Sequence, residues 1–348
     1  MRPRPFDTCG RAAAAVAAAG LLFASPGAVA VGFAATHREA QSATVDVGYG
    51  GLAVVRGDTV VVAGLSRRGV ITNPIRMALA RYTAASRLDR RFGTGGEVLA
   101  DFGARSDSWA RAVAVQRDGK IVAAGAMGPR GRGGSLALVR YARAGKLDPT
   151  FGRNGKVLTR DGQAGAVAIQ ADGKIVAAGY RGNGFALTRF TARGRLDRSF
   201  GSGGSVVTGV RSGGDAYAFA LAIPSDGKLV VAGPTGVQTS ALVRYSSTGR
   251  LDSTFGKGGR VIARVVNPSA VVTQSDGKIV VVTGTALLRY RGDGSLDRAS
   301  LHDCPLDERR QSGLEEDLIR PRAACDEANL IGPGGEPNAC RTLPILPA

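Results

Sequence analysis

Histidine is nearly missing from this chain of 348 residues: only His37 and His302 are present. Aromatic side chains make up 5% of the sequence, with a single tryptophan, Trp109. There are four cysteines, Cys9 near the start and Cys304, Cys325 and Cys340 near the end. Between residues 43 and 297 no stretch has helical periodicity, and no apolar run after the first thirty residues is long enough to span a bilayer. Each shortage excludes something. Both histidines lie outside the central region, so neither a Ser-His-Asp triad nor a histidine-held metal is expected there. The small aromatic content offers little base-stacking surface, which together with the secreted location expected below argues against a nucleic-acid partner despite the basic charge. The three C-terminal cysteines allow at most one internal disulfide, and their spacing lacks the close pairs of a zinc site. No cofactor is expected.

What the chain has instead is repetition. AVAVQRDGKIVAAG, AVAIQADGKIVAAG, ALAIPSDGKLVVAG and AVVTQSDGKIVVVTG follow one another, preceded by a worn copy, GLAVVRGDTVVVAG. Asp118, Asp172, Asp226 and Asp276 mark the Asp-Gly-Lys turns at spacings of 54, 54 and 50 residues. In each copy two apolar runs flank Asp-Gly, the signature of a β-hairpin. A third alternating run follows (Phe185 to Phe190 in one copy), then a Leu-Asp-x-x-Phe-Gly step, then a fourth short run. Four short strands in about 50 residues predict a propeller blade. The last copy stops after Leu296-Asp297, without the Phe-Gly and the fourth strand. A spare run at 43–48 predicts the strand that completes it and seals the ring. The expected fold is all-β: a five-bladed β-propeller closed by an N-terminal strand, with a loosely ordered tail.

The termini read differently. Arg2, Arg4 and Arg11 precede a thirteen-residue apolar run at 12–24, and Ala28-Val29-Ala30 follows a Ser-Pro-Gly break. This predicts a signal peptide over residues 1–30, cleaved near Ala30, with no transmembrane segment in the mature chain. The mature protein is then expected to be secreted or associated with the cell envelope. Residues 31–300 form the propeller and 301–348 an acidic tail containing cysteine and proline. Of the chain's 46 basic and 28 acidic residues, the two terminal segments hold 8 and 10, leaving 38 and 18 in the propeller, an excess of 20 positive charges. So basic a body suggests anionic partners, here a cell-envelope polymer, or an exported protein.

The unit Leu-Asp-x-x-Phe-Gly-x-x-Gly-x-Val, followed by Ala-x-Ala-Val-Ala-x-Gln-x-Asp-Gly-Lys-Ile-Val-x-Ala-Gly and Ala-Leu-x-Arg-Tyr, resembles the bacterial delta-60 repeat over about residues 43–297. That family is similar in strand order to NHL-type repeats. The first copy departs from it, with Gly57-Asp58-Thr59 in place of Asp-Gly-Lys. The resemblance implies an exported propeller and brings no catalytic residues.

Residues present in every copy are expected to build the blade. These are Arg81, Arg140, Arg189, Arg244 and Arg289, paired with Asp89, Asp148, Asp197, Asp252 and Asp297, joined in the first four copies by the wedges Phe92, Phe151, Phe200 and Phe255. Function is expected where copies differ, in the loops after strands two and four, which open on one face. The candidate ligand-binding residues are Arg67, Arg68, Arg105, Trp109, Arg130, Arg132, Arg181 and Arg211. They predict a basic face on a non-enzymatic binding or envelope scaffold. The alternative is a propeller hydrolase or lyase using the loop carboxylates Asp101, Asp161 and Asp215.

Overall fold

A computed structural model of the chain describes residues 31–32, 51–55, 59–66, 75–103, 106–129, 134–159, 162–210, 216–236, 238–264, 267–283 and 287–297. The expected signal segment 1–30, the expected closing strand at 43–48 and the expected tail 301–348 lie outside these residues. The described residues are all-β and form five antiparallel sheets, one for each repeat, as a five-bladed β-propeller.

Blade 1 comprises β2 (Gly51–Val55), β3 (Thr59–Ser66), β4 (Arg76–Tyr82) and β5 (Glu97–Ala100), with β1 (Val31–Gly32) added at its inner edge. Blade 2 comprises β6 (Asp107–Val115), β7 (Ile121–Gly128), β8 (Ser135–Tyr141) and β9 (Lys156–Leu158). Blade 3 comprises β10 (Gln163–Ile169), β11 (Ile175–Arg181), β12 (Gly184–Phe190) and β13 (Ser205–Gly209). Blade 4 comprises β14 (Ala220–Ala222), β15 (Leu229–Gly236), β16 (Thr239–Tyr245) and β17 (Arg260–Ala263). Among the described residues blade 5 has three strands, β18 (Ala270–Thr273), β19 (Ile279–Val282) and β20 (Leu287–Tyr290). Strands pair in chain order, so each blade is a meander. The Asp-Gly-Lys and Leu-Asp turns fall on one face (the turn face), and the connections after strands two and four fall on the other (the loop face).

β1 is an element the sequence did not suggest. Val31 pairs with Leu52 and Gly32 with Gly51. Its Cα atoms also come within 8 Å of the innermost strands of the other four blades, β6, β10, β14 and β18, which places it at the propeller axis.

The core lies between blades rather than within them. Val61, Leu79 and Phe92 of blade 1 pack with Val113 and Tyr141 of blade 2. Val122, Leu138 and Phe151 of blade 2 pack with Val167 and Phe190 of blade 3. Val176, Leu187 and Phe200 of blade 3 pack with Leu221 and Tyr245 of blade 4. Each fully buried side chain of this size contributes roughly 1.5–3 kcal/mol, so no blade could bury its faces alone.

The repeated polar residues form a joint. In every blade the arginine Nε donates to the Leu-Asp carboxylate eight residues later, at 2.8–3.0 Å. In the first four blades Nη1 also reaches the next blade's turn, donating to the carbonyls of Arg143, Ala192, Ser247 and Gly292. The guanidinium lies 4.6–4.7 Å above the ring of the blade's own Phe92, Phe151, Phe200 or Phe255. The glycine after each phenylalanine donates its N–H to that same neighbouring turn, at 2.7–2.9 Å. The lysine of Asp-Gly-Lys pairs with the Leu-Asp carboxylate in blades 2 to 5, at 3.1–3.7 Å.

The neighbouring turn must carry glycine at its tip. Gly194 has φ +78, and a Cβ there would lie 2.8 Å from Phe151 Cε2. Gly145, Gly249 and Gly294 meet Phe92, Phe200 and Phe255 in the same way. In blade 1 the equivalent residue is Ser86, at φ 57 and exposed. The blade that would face it is blade 5, where Ser300-Leu301 replaces Phe-Gly. The serine is tolerated because its neighbour has no phenylalanine to displace. Accordingly the Arg289 side chain is 27% exposed, against 5–14% for its four counterparts, and it donates to no next-blade carbonyl among the described residues.

Two predictions follow from this joint. Gly194→Ala should destabilise the protein by about 2–4 kcal/mol, since both the left-handed backbone and Phe151 oppose the methyl. Ser86→Gly at the equivalent turn should be neutral or stabilise by up to about 1 kcal/mol; the midpoints of denaturant unfolding distinguish the two. The second concerns acid. Burial pushes the Asp148 carboxyl up, but the Thr150 hydroxyl and N–H, Lys120 and Arg140 outweigh it and bring it down to about 2 from 3.8. The Ser199 hydroxyl and Arg189 hold Asp197 low, and the Thr254 hydroxyl, Lys228 and Arg244 do the same for Asp252. Carboxyls lowered by folding add stability that is complete above their ordinary range and is lost as pH falls through the folded value. Unfolding should therefore set in as pH drops from 3.8 toward 2. Asp148→Asn should be less stable at neutral pH and show a shallower acid dependence, measured as thermal midpoint against pH.

Candidate functional site

The loop face is built around a recurring distortion of the innermost strands. In blades 2 and 3 the pairing of strands one and two shifts register between Ala110 and Ala112 and between Ala164 and Ala166. The glycine that ends each Ile-Val-Ala-Ala-Gly phrase lies directly beneath. A Cβ on Gly179 would fall 1.8 Å from the Gln163 carbonyl oxygen, and one on Gly125 would fall 1.9 Å from that of Trp109. The glycine thus allows the inner strand to bulge, and a bulge re-aims the side chains beside it. The bulge presents Trp109 and Arg111 in blade 2 and Gln163 and Gly165 in blade 3; the same sequence positions are Tyr217 and Phe219 in blade 4 and Asn267 and Ser269 in blade 5. The flanking alanines barely change while these positions differ in every copy.

Blade 4 contributes aromatics to this collar. The Tyr217 ring meets Tyr180, at the end of β11 in blade 3, edge-on at a centroid distance of 4.5 Å. On its other side it stacks on Phe219 at 5.9 Å with 15° between planes. All three residues are partly exposed. Gly165 makes room for Phe219, because a Cβ there would be 3.1 Å from Phe219 Cδ1 and 2.4 Å from the Ala218 carbonyl oxygen. The Ala218 N–H donates to the Gly179 carbonyl at 3.2 Å, fixing blade 4 against blade 3 at this height. In blade 2, half-buried Trp109 holds its indole N–H away from solvent without an acceptor among the described residues.

Of the residues expected from the sequence, Trp109, Arg181 and Asp101 are described. Arg67, Arg68, Arg105, Arg130, Arg132 and Arg211 lie outside the described residues, as do Asp161 and Asp215. Trp109 belongs to the collar. Arg181 ends β11 next to Tyr180, and its Nη2 donates to Ser205 Oγ at 3.2 Å. Asp101 follows the outermost strand of blade 1. Its carboxylate accepts from the Gly103 N–H at 2.8 Å and faces Arg76 at 3.4 Å, so it closes its own loop. Among the described residues no three His, Cys, Asp or Glu side chains converge as a metal site. The sequence reading missed Tyr180, Tyr217, Phe219 and Arg111. Aligning the copies on the paired alanines of strand one would have exposed three of them as the variable positions.

Four stretches, residues 116–151, 170–200, 225–255 and 274–299, match the sequence model of a family described as "Domain of unknown function (DUF5122) beta-propeller". Each match opens just before an Asp-Gly-Lys turn, and the first three close on the phenylalanine of the joint. No curated protein matches the sequence. Among solved structures, the chain is similar to a protein of unknown function from Bacteroides caccae, at 10% identity over 78% of this chain and 92% of that one, with a TM-score of 0.39. It is also similar to a gluconolactonase from Xanthomonas campestris, at 13% identity over 69% and 71% with a TM-score of 0.38, and to a glucose dehydrogenase, at 14% identity over 71% and 84% with a TM-score of 0.40. The chain is a repeat-built β-propeller, and its second to fifth blades each carry a segment matching that family of β-propellers of unknown function.

Proposed function

We propose that this is an exported, non-enzymatic binding propeller that engages an anionic ligand or polymer through its loop face. The carrying observation is where the charges go. Nine cations of the joint (five arginines and four Asp-Gly-Lys lysines) are matched by nine carboxylates of the same units. The frame is neutral, so the excess of 20 positive charges between residues 31 and 300 resides at positions the frame does not use. Arg181 sits next to Tyr180 of the collar at the end of β11, and Arg67, Arg68, Arg105, Arg130, Arg132 and Arg211 belong in sequence to the unequal connections that follow strands two and four. Cations beside partly exposed rings suit a polymer that combines acidic groups with flat sugar rings, such as an acidic envelope polysaccharide. The basic start, apolar run and small-residue step of residues 1–30 support export.

The expected result is retention of the mature protein on beads bearing an acidic polysaccharide, weakening as salt is raised. Arg130→Ser, Arg132→Ser and Arg181→Ser together should reduce retention about tenfold at low salt, each cation contributing roughly 0.5 kcal/mol. Tyr217→Ala should weaken it without changing the salt dependence. Retention unchanged in both variants would sink the proposal.

A further inference from the structure

The turn face carries a second set of cations that recurs with the repeat. The residue directly before each Leu-Asp step is Arg87, Lys146, Arg195 or Arg250 in the first four blades, and Ser295 in the fifth. Each of the four is exposed. Each also holds the same backbone position, its carbonyl accepting from the first residue of its turn at 2.7–2.8 Å. The repeated carboxylates of this face are already engaged, and Asp293 of blade 5 accepts from the Ser295 hydroxyl and N–H. The Leu-Asp carboxylates bind the joint arginines, and those of Asp-Gly-Lys bind their own lysines at 2.9–3.6 Å. Among the described residues none of the four cations makes an ion pair. Exposed Arg117, Arg143 and Arg193 add to the same field.

Beside each cation is a leucine, and Leu147 and Leu196 are 37% and 44% exposed, although most apolar side chains here are buried. Equivalent positions of blades arranged about one axis lie at one height, so the four cations define a plane. A flat anionic surface meets all four at once, whereas a linear polymer meets neighbours two at a time. We infer that the turn face is a docking surface for a bilayer rich in acidic phospholipid, with Arg87, Lys146, Arg195 and Arg250 contacting headgroup phosphates and the exposed Leu147 and Leu196 entering the interface. This surface is opposite the loop face and is independent of the function proposed for that face.

The test is sedimentation of the mature protein with vesicles of phosphatidylcholine alone or mixed with phosphatidylglycerol. Binding is expected on the mixed vesicles only, and to fall as salt rises. Arg87→Gln with Arg195→Gln should lower the partition coefficient about 25-fold, roughly fivefold per cation, with an unchanged thermal unfolding midpoint confirming the fold. Arg76→Gln with Arg264→Gln removes the same charge away from the turn face and should cost less than about twofold, the residual long-range effect of net charge. The inference is overturned if the wild type ignores mixed vesicles, or if the two double variants lose binding equally.

Discussion

Everything in this propeller depends on a joint made by one guanidinium. In each of the first four blades it holds the carboxylate of its own turn, reaches a carbonyl of the next turn and covers a buried phenylalanine. Arginine suits the task because its planar fork serves several acceptors while its face stacks on a ring. A buried cation is costly unless all of it is satisfied, and here the carboxylate, the carbonyl and the ring do so together. The surrounding positions have little freedom as a result: the aspartate, the phenylalanine, the glycine after it and the glycine of the neighbouring turn recur.

The ring has one junction where this device stops. Blade 5 lacks the Phe-Gly step, and blade 1 carries Ser86 where the other turns have glycine. The two departures match, since a side chain at that turn is forbidden only when a phenylalanine lies against it. β1 supplies a different kind of tie, pairing with β2 at the axis and approaching the inner strands of all five blades.

A neutral, rigid frame leaves two surfaces to vary independently. On the loop face the copies diverge in length and composition, and the inner-strand bulges place unlike side chains round one collar, as a site for one particular ligand requires. On the turn face the unpaired cations repeat with the blade, which suits a partner that is itself uniform and extended. The loop face is thus asymmetric about the axis, and the turn face repeats with the blade.

Much of the fold could be read in the sequence because its signals are local. Asp-Gly between apolar runs specifies a hairpin within ten residues, and the Arg–Asp pairing spans eight. The copy number set the blade count. What crosses from blade to blade was not legible in this way. Arg81 meets a carbonyl 62 residues away, and Arg189 one 58 residues away. No local pattern could show that Phe151 limits residue 194, or that Tyr180 and Tyr217 share a contact while belonging to different blades. By itself, the sequence determined the strands, the turns and the paired charges within a blade, since these depend on backbone preferences and near neighbours. Only the tertiary structure decided which blade each phenylalanine and guanidinium serves, which side chains meet at the collar and what lies at the axis. Those contacts exist only once the chain has circled back on itself.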